Sequence, residues 1–103
     1  MTYAYNMHTI EMRIDWDPGK AETNKRKHGV SFSDVEEVFM DPHAISTEDP
    51  DANIEPRFIV TGADSLKRLV TIVYTYRPRN IQIISARKVT SKESREYERR
   101  IRF

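Results

Sequence analysis

The sequence predicts a small α+β domain: an antiparallel sheet, two N-terminal helices packed on one of its faces, and a C-terminal helix. Three runs of alternating β-branched and aromatic residues fill much of the second half and are joined by short turns. Helix start and stop signals precede and follow these runs. A chain of 103 residues suits one domain. We expect residues 12–103 to form that domain and residues 1–11 to be an N-terminal extension.

The first strand and the first helix are predicted close together. Residues 12–16 alternate between apolar and charged side chains, which is typical of a half-buried strand. Asp17 is a good N-cap and Pro18 suits the first helical position, so a helix begins there. It is predicted to end at His28, because Gly29 readily adopts the left-handed conformation of a C-cap. Few of its residues are apolar, and we expect this helix to be largely exposed.

A second helix follows after a short connection. Ser33 and Glu36 have the spacing of a capping box, and residues 32–39 carry apolar side chains at helical intervals. The helix is predicted to stop before Asp41, which precedes a proline. Residues 44–48 are a weaker candidate for a short strand.

Three further strands are predicted at residues 57–61, 68–76 and 81–89. The turns at 62–65 and 77–80 connect them as successive antiparallel hairpins. Strict alternation in the last strand places one set of side chains on one face and a second set on the other. The first set is Ile81, Ile83 and Ser85, and the second is Gln82, Ile84 and Ala86.

The chain ends in a predicted basic helix. Thr90 and Glu93 form a second capping box at its start. Its apolar residues are few, chiefly Tyr97, Ile101 and Phe103. We therefore expect this helix to dock loosely or to rest on a partner.

The charge is distributed unevenly along the chain. Residues 1–65 carry six Lys and Arg against thirteen Asp and Glu, whereas residues 66–103 carry eleven against three. A basic half indicates either a nucleic-acid surface or a sheet neutralised by acidic loops of the same chain. The acidic segment 34–55 is interpreted as a solvated loop region, with a partner-facing surface as the alternative.

Several classes of protein are excluded or disfavoured by composition. The absence of cysteine excludes disulfides, thiol catalysis and cysteine-bound zinc. The three histidines are isolated, no glycine-rich phosphate loop is present, and we expect neither a metal nor a cofactor. No apolar run approaches the ~18 residues of a membrane span, and no secretory signal is recognised. We expect a cytoplasmic protein with no membrane partner.

The remaining chemistry is that of arginine, lysine, tyrosine and histidine, a set that suits cleavage of RNA without a metal ion. The 2′-hydroxyl attacks the adjacent phosphate, a base accepts its proton, cations stabilise the phosphorane and an acid protonates the leaving oxygen. The positions that stand out on the two long strands, on the turn between them and at the end of the first helix are Arg68, Tyr74, Tyr76, Arg77, Arg79, Arg87, Lys88, Lys27 and His28.

Each of these positions has a structural alternative. Arg87 follows a very apolar stretch and either serves a site or forms a salt bridge with an acid on the first or second helix. His28 precedes a glycine and fits a helix C-cap. Tyr74 and Tyr76 share a strand face, so one of them fits the core, and Arg68 fits a solvated strand end.

Taken together, two blocks of residues resemble the BrnT family. The first block is Trp16-Asp17-Pro18-Gly19-Lys20-Ala21, then Asn24, Lys27-His28-Gly29-Val30-Ser31-Phe32, Glu37-Val38-Phe39 and Asp41-Pro42. The second block is Ile83-Ile84-Ser85-Ala86-Arg87-Lys88, followed by a basic helix with Glu93, Arg95 and Tyr97. The resemblance spans roughly residues 12–100, in order and without large gaps.

The resemblance implies a RelE-like fold and the toxin of a type II toxin–antitoxin pair, a ribonuclease that cuts RNA and arrests growth. It implies a BrnA-like antitoxin as partner, through which alone the toxin reaches operator DNA. A non-catalytic binding or co-repressor subunit with the same fold is the alternative, and a plain nucleic-acid-binding domain is a third possibility.

The resemblance also assigns site residues. Arg87 carries over as a catalytic cation, followed by Arg77 and by Lys27 with His28. Beyond the matched motifs, we consider His28 or Tyr76 as the acid or base. Family members often have an acid at the position of Tyr76, as in Thr-Glu-Arg. Tyr74 is interpreted as a positioning residue, and the RNA-binding set is Arg68, Tyr74, Lys88 and Arg79.

Overall fold

The computed structural model describes residues 13–101. The extension at residues 1–11, together with Met12, Arg102 and Phe103, lies outside the described residues. The elements in chain order are β1 (Arg13–Trp16), α1 (Pro18–His28), α2 (Phe32–Val35), a 3₁₀ helix (Glu36–Met40), β2 (Ile45–Glu48), β3 (Phe58–Ala63), β4 (Leu69–Arg77), β5 (Asn80–Lys88) and α3 (Ser91–Ile101).

Five strands form one sheet in the order β1-β5-β4-β3-β2, so the α+β class is confirmed. Strands β3, β4 and β5 are successive antiparallel neighbours, as predicted, and the weaker candidate β2 pairs antiparallel with β3. The prediction of a wholly antiparallel sheet is wrong, because β1 pairs parallel with β5. Both strands alternate with a period of two, and that pattern does not reveal the direction in which they pair.

The last strand contains a β-bulge that changes which side chains share a face. Tyr74 pairs with Ile83 and Val73 pairs with Ser85, which leaves Ile84 without a partner on β4. An extra residue of this kind reverses the alternation beyond it. Ile83 and Ala86 are therefore both fully buried on one face. The alternation predicted for residues 81–89 is wrong after Ile83.

The two faces of the sheet have different coverings. The core face carries the buried side chains of Val60, Val70, Ile72, Ile83 and Ala86, and Phe32, Val35 and Val38 of α2 and the 3₁₀ helix join the same cluster. The opposite face, here called the threonine face, carries Thr61, Thr71, Ser85 and Arg87. Since Glu93 of α3 contacts Thr71, α3 begins on the threonine face. The three helices are not gathered on one face.

Helix α1 lies beside the free edge of β5. Strand β1 covers that edge only as far as Ile83. Beyond it the side chain of Asn24 replaces a strand: Nδ2 donates to the carbonyl of Ala86 at 2.9 Å, and Oδ1 accepts from the amide of Ala86 at 3.1 Å. Nδ2 also donates to the carbonyl of Val30 at 3.1 Å. Asn24 is the buried residue of a helix that is otherwise exposed or half-buried.

Both caps of α1 are confirmed. The carboxylate of Asp17 accepts the amide of Lys20 at 2.9 Å, and Pro18 is the first helical residue. Gly29 adopts φ 70°, a left-handed conformation that glycine reaches without steric cost, and donates to the carbonyl of Lys25 at 2.8 Å.

The second helix begins earlier than predicted. Its N-cap is Ser31, and the capping box expected from Ser33 and Glu36 is wrong. Phe32 is the first helical residue and is almost fully buried, so its place in the core determines where the helix starts. After four residues the α-helix tightens into the 3₁₀ helix.

Helix α3 has the predicted capping box. Glu93 Oε1 accepts the amide of Thr90 at 2.9 Å, and the amide of Glu93 donates to Thr90 Oγ1 at 3.2 Å. Tyr97 is the buried residue of the helix, and its hydroxyl donates to Asp41 Oδ2 at 2.6 Å. Two polar anchors, Glu93 and Tyr97, therefore hold a helix with little apolar contact.

Candidate functional site

Arg87 is held on the threonine face by a two-point ion pair. Its Nη1 and Nη2 donate to Oε1 and Oε2 of Glu93, each at 2.9 Å, and Nη1 also donates to the carbonyl of Lys88 at 3.2 Å. The Arg87 side chain is 38% exposed and that of Glu93 is 21% exposed. An acid does bind Arg87, as the structural alternative held, but it lies on α3 and not on either of the first two helices.

Glu93 accepts hydrogen bonds from three directions. Besides Arg87, its Oε1 accepts from Thr71 Oγ1 at 3.1 Å and from the amide of Thr90 at 2.9 Å. The hydrogen bonds from Arg87, together with the other donors, lower the pKa of Glu93 to about 2 despite desolvation. The same hydrogen bonds raise the pKa of Arg87. Both groups are therefore charged near neutral pH.

A groove of about 510 Å³ runs between α1 and β5. Lys20, Lys27 and His28 line its α1 wall, and Ile84 and Ser85 line its β5 wall. Both lysines are exposed. Lys20, Asn24 and Lys27 are spaced at i, i+4 and i+7 and share one face of α1. The hydrogen bonds of buried Asn24 to Ala86 turn that face towards β5.

The groove and Arg87 lie on the same side of β5. Ser85 and Arg87 share the threonine face because the bulge precedes both of them. Two residues along a strand cover about 7 Å. Lys27 and His28 therefore line a groove whose β5 wall ends two residues before Arg87, and Arg87 itself does not line it.

Two other predicted catalytic residues lie at the opposite end of the β4–β5 hairpin. Arg77 donates through Nη1 to Glu55 Oε2 at 3.1 Å. Thr71 is opposite Arg87, and Arg77 is six residues further along the same strand, which is about 20 Å away. Tyr76 lies on the core face, is 51% exposed, and packs edge-on against Phe58 and Tyr74. The structure does not bring Arg77 and Tyr76 together with Arg87.

The predicted RNA-binding residues are also dispersed. Tyr74 is a buried core residue whose hydroxyl is 3.0 Å from Ser46 Oγ, and burial raises its pKa to about 12. The guanidinium of Arg68 contacts Asp64 Oδ2 at 2.9 Å from Nε and 2.8 Å from Nη2. Arg79 and Lys88 are exposed, in the hairpin turn and at the end of β5.

Two residues of this region were missed by sequence reasoning about function. Glu93 was recognised as the acid of a capping box and as part of the second family block, and neither signal indicates that it pairs with Arg87. Asn24 entered only as a member of the first family block, with no sign that its amide would complete a sheet edge. Both acquire their roles from contacts between separate elements.

The rest of the described chain offers fewer features of this kind. A second concavity of about 490 Å³ is formed by the loop from Glu48 to Pro56, which contains none of the predicted site residues. Within residues 13–101, no three His, Asp or Glu side chains are grouped as metal ligands would be. Over the same range, no helix has the length and apolar character needed to cross a membrane.

Comparison with known proteins identifies the family. The family described as "Ribonuclease toxin, BrnT, of type II toxin-antitoxin system" matches residues 16–93, a span that contains the α1–β5 groove and ends at Glu93. The chain belongs to the BrnT family. Its members are ribonuclease toxins of type II toxin–antitoxin systems, which implies an antitoxin partner.

A solved structure supports the BrnT fold. The chain is similar to the Brucella abortus ribonuclease toxin BrnT, known from a 1.1 Å crystal structure, with 24% identity and a TM-score of 0.61. The match covers 79% of this chain and 100% of the Brucella chain. The search of curated proteins found no match. The likeness to the Brucella protein concerns the fold, and the residue roles are argued from this chain.

Proposed function

We propose that this BrnT-family toxin is a metal-independent endoribonuclease that cuts RNA, arrests growth and is neutralised by a BrnA-like antitoxin. One observation supports the proposal: Lys27 and His28 line a groove with Ser85, which is two residues before Arg87 on β5, and all of them fall inside the span that matches the ribonuclease family. A groove lined by Lys20 and Lys27, with the ion-paired Arg87 further along β5, suits a polyanionic substrate.

The proposed residues supply the groups that this reaction needs. The 2′-hydroxyl attacks the adjacent phosphorus and the 5′-oxygen leaves. Arg87 stabilises the negative charge that develops on the phosphorane oxygens. Electrostatic stabilisation of this kind is a major contribution to the rate of an enzymatic reaction. Lys27 binds the phosphate as a compact charge, and His28 is proposed to exchange protons with the 2′-hydroxyl or the leaving oxygen.

The hairpin end of the sheet is proposed to contact RNA away from the bond that is cut. Tyr76 presents an exposed ring on which a base can stack, and Arg77 and Arg79 are cations beside it. Lys88, exposed next to Arg87, is proposed to bind backbone phosphate. RNA contacts by Arg68 and Tyr74 stay predictions, although each already has a partner within the fold.

The partner and compartment follow from the proposed activity. A ribonuclease that arrests growth acts where RNA is found, so the protein is proposed to be cytoplasmic. A BrnA-like antitoxin is proposed to bind it directly, and operator DNA is reached only through that antitoxin. The acidic segment 34–55 remains a candidate contact surface for such a partner.

Expression in a bacterial host without an antitoxin tests the proposal. Wild type is expected to arrest growth and degrade total RNA, and Arg87→Ala to do neither while remaining folded. Purified wild type is expected to cut RNA at the same rate with and without EDTA. Inhibition by EDTA would contradict the metal-independent mechanism.

A second candidate function is supported by one observation. The position where family members often have an acid is Tyr76, which packs against aromatic rings. If wild type is harmless without antitoxin and leaves RNA intact, the non-catalytic binding or co-repressor subunit becomes the better description.

A further inference from the structure

The guanidinium of Arg87 is oriented by its bonds. A guanidinium has five N–H donors on three edges. Glu93 binds the edge between Nη1 and Nη2, and the carbonyl of Lys88 accepts the outer hydrogen of Nη1. Among the described residues, the edge formed by Nε and the outer hydrogen of Nη2 has no partner. That edge has the fork geometry that binds two oxygens of a phosphate.

We propose that Glu93 is a positioning residue for RNA cleavage, which holds Arg87 so that its Nε–Nη2 edge is presented to the substrate phosphate. The inference rests on the proposed function and adds a residue to it. An arginine on a strand end has several rotatable bonds and loses conformational entropy when it binds a phosphate. The ion pair with Glu93 orders the side chain before RNA arrives.

Contacts to both β4 and the start of α3 fix the position of the Glu93 carboxylate, so it can hold Arg87 in one orientation. The hydroxyl of Thr71 on β4 and the amide of Thr90 at the start of α3 both donate to its Oε1. The hydroxyl of Thr71 is in turn 2.9 Å from that of Thr61 on β3. Displacing the carboxylate would break contacts to the sheet and to the helix cap together.

The geometry argues against Glu93 as the general base. Four donors already bind this carboxylate: Arg87 Nη1, Thr71 Oγ1 and the amide of Thr90 at Oε1, and Arg87 Nη2 at Oε2. An effective base also needs a pKa near the working pH, whereas that of Glu93 is about 2. Its contribution to cleavage is therefore through Arg87.

Two variants separate positioning from helix capping. Glu93→Gln keeps an oxygen that can accept the amide of Thr90, since glutamine also serves in a capping box, but it loses the charge and the two-point grip on Arg87. Thr90→Ala is the matched control, because it removes the reciprocal cap bond and leaves both Arg87 contacts intact.

The measurement is steady-state cleavage of a synthetic RNA oligonucleotide by each purified full-length variant. For Glu93→Gln we expect kcat to fall by about tenfold to a hundredfold, with KM changed less than about threefold. Thr90→Ala is expected to keep the wild-type kcat. In the Arg87→Ala background, Glu93→Gln is expected to cause no further loss, because it acts through Arg87.

Other results would overturn the inference. An unchanged kcat in Glu93→Gln, an increased one, or an equal loss in Thr90→Ala would each show that Glu93 does not position Arg87 for catalysis. Loss of the acidic limb of the pH–rate profile in Glu93→Gln would make it the base instead. If wild type cuts RNA and Glu93→Gln matches it, only this inference fails; if wild type does not cut RNA, the proposed function fails as well.

Discussion

The two ends of the β4–β5 hairpin each carry an arginine on the threonine face, and the two are held very differently. Their exposures are nearly equal, at 38% for Arg87 and 41% for Arg77. Arg87 is gripped at two points by a carboxylate that is 21% exposed, whereas Arg77 makes one contact with a carboxylate that is 50% exposed. Exposure alone therefore does not distinguish an arginine held at two points from one held at a single point.

The two ion pairs differ in how strongly they fix the orientation of the guanidinium. A single ion pair between exposed side chains contributes about 0–1 kcal/mol and does not fix a geometry. A two-point pair of arginine with a partly buried carboxylate constrains the plane of the guanidinium. Catalysis benefits from charges that are already oriented, so we expect the proposed reaction at the Arg87 end.

The largest expected effect tests this assignment directly. Arg87→Ala is expected to lower kcat for RNA cleavage by about 10²- to 10³-fold, as removal of one transition-state donor does. Arg77→Ala, its matched control, is expected to lower kcat/KM by less than about tenfold, through weaker binding of RNA. Equal losses in the two variants, measured on one oligonucleotide, would contradict the assignment.

The Arg87 end also depends on Asn24, which holds α1 against β5. Asn24→Ala is expected to lower the free energy of unfolding by about 2–3 kcal/mol, because it leaves the amide and carbonyl of Ala86 without partners. Lys25→Ala, at an exposed position on the same helix, is expected to change it by less than about 0.5 kcal/mol. Urea denaturation measures the free energy of unfolding of both variants. An equal change in the two would show that the hydrogen bonds of Asn24 to Ala86 do not stabilise the fold.

The smallest expected effect concerns stability in acid. Because the pKa of Glu93 is lowered from 4.5 to about 2, folding favours its ionised form. That contribution, on the order of 2 kcal/mol, is fully present above pH 4.5 and is lost as the pH falls towards 2. Urea denaturation between pH 2 and pH 6 should show a weaker pH dependence in Glu93→Gln than in wild type. An identical dependence would mean that other carboxylates dominate acid unfolding.

The sequence by itself determined the local structure of this protein. Asp17, Gly29 and the Thr90–Glu93 pair mark helix ends through contacts within a few residues, and all three were recognised. The hairpins were predicted because alternating strands and short turns are also local. The family blocks brought Lys27, His28 and Arg87 to attention before any contact was known.

Only the tertiary structure decided how these parts form a site. The bulge at Ile84 places Arg87 on the threonine face, whereas strict alternation would place it with buried Ile83. The parallel pairing of β1 with β5 and the hydrogen bonds of Asn24 to Ala86 join segments that are more than sixty residues apart. Such contacts depend on which surfaces meet when the chain packs, and a local pattern does not record that. Arg87 therefore found its partner on α3, where the sequence showed only a helix cap.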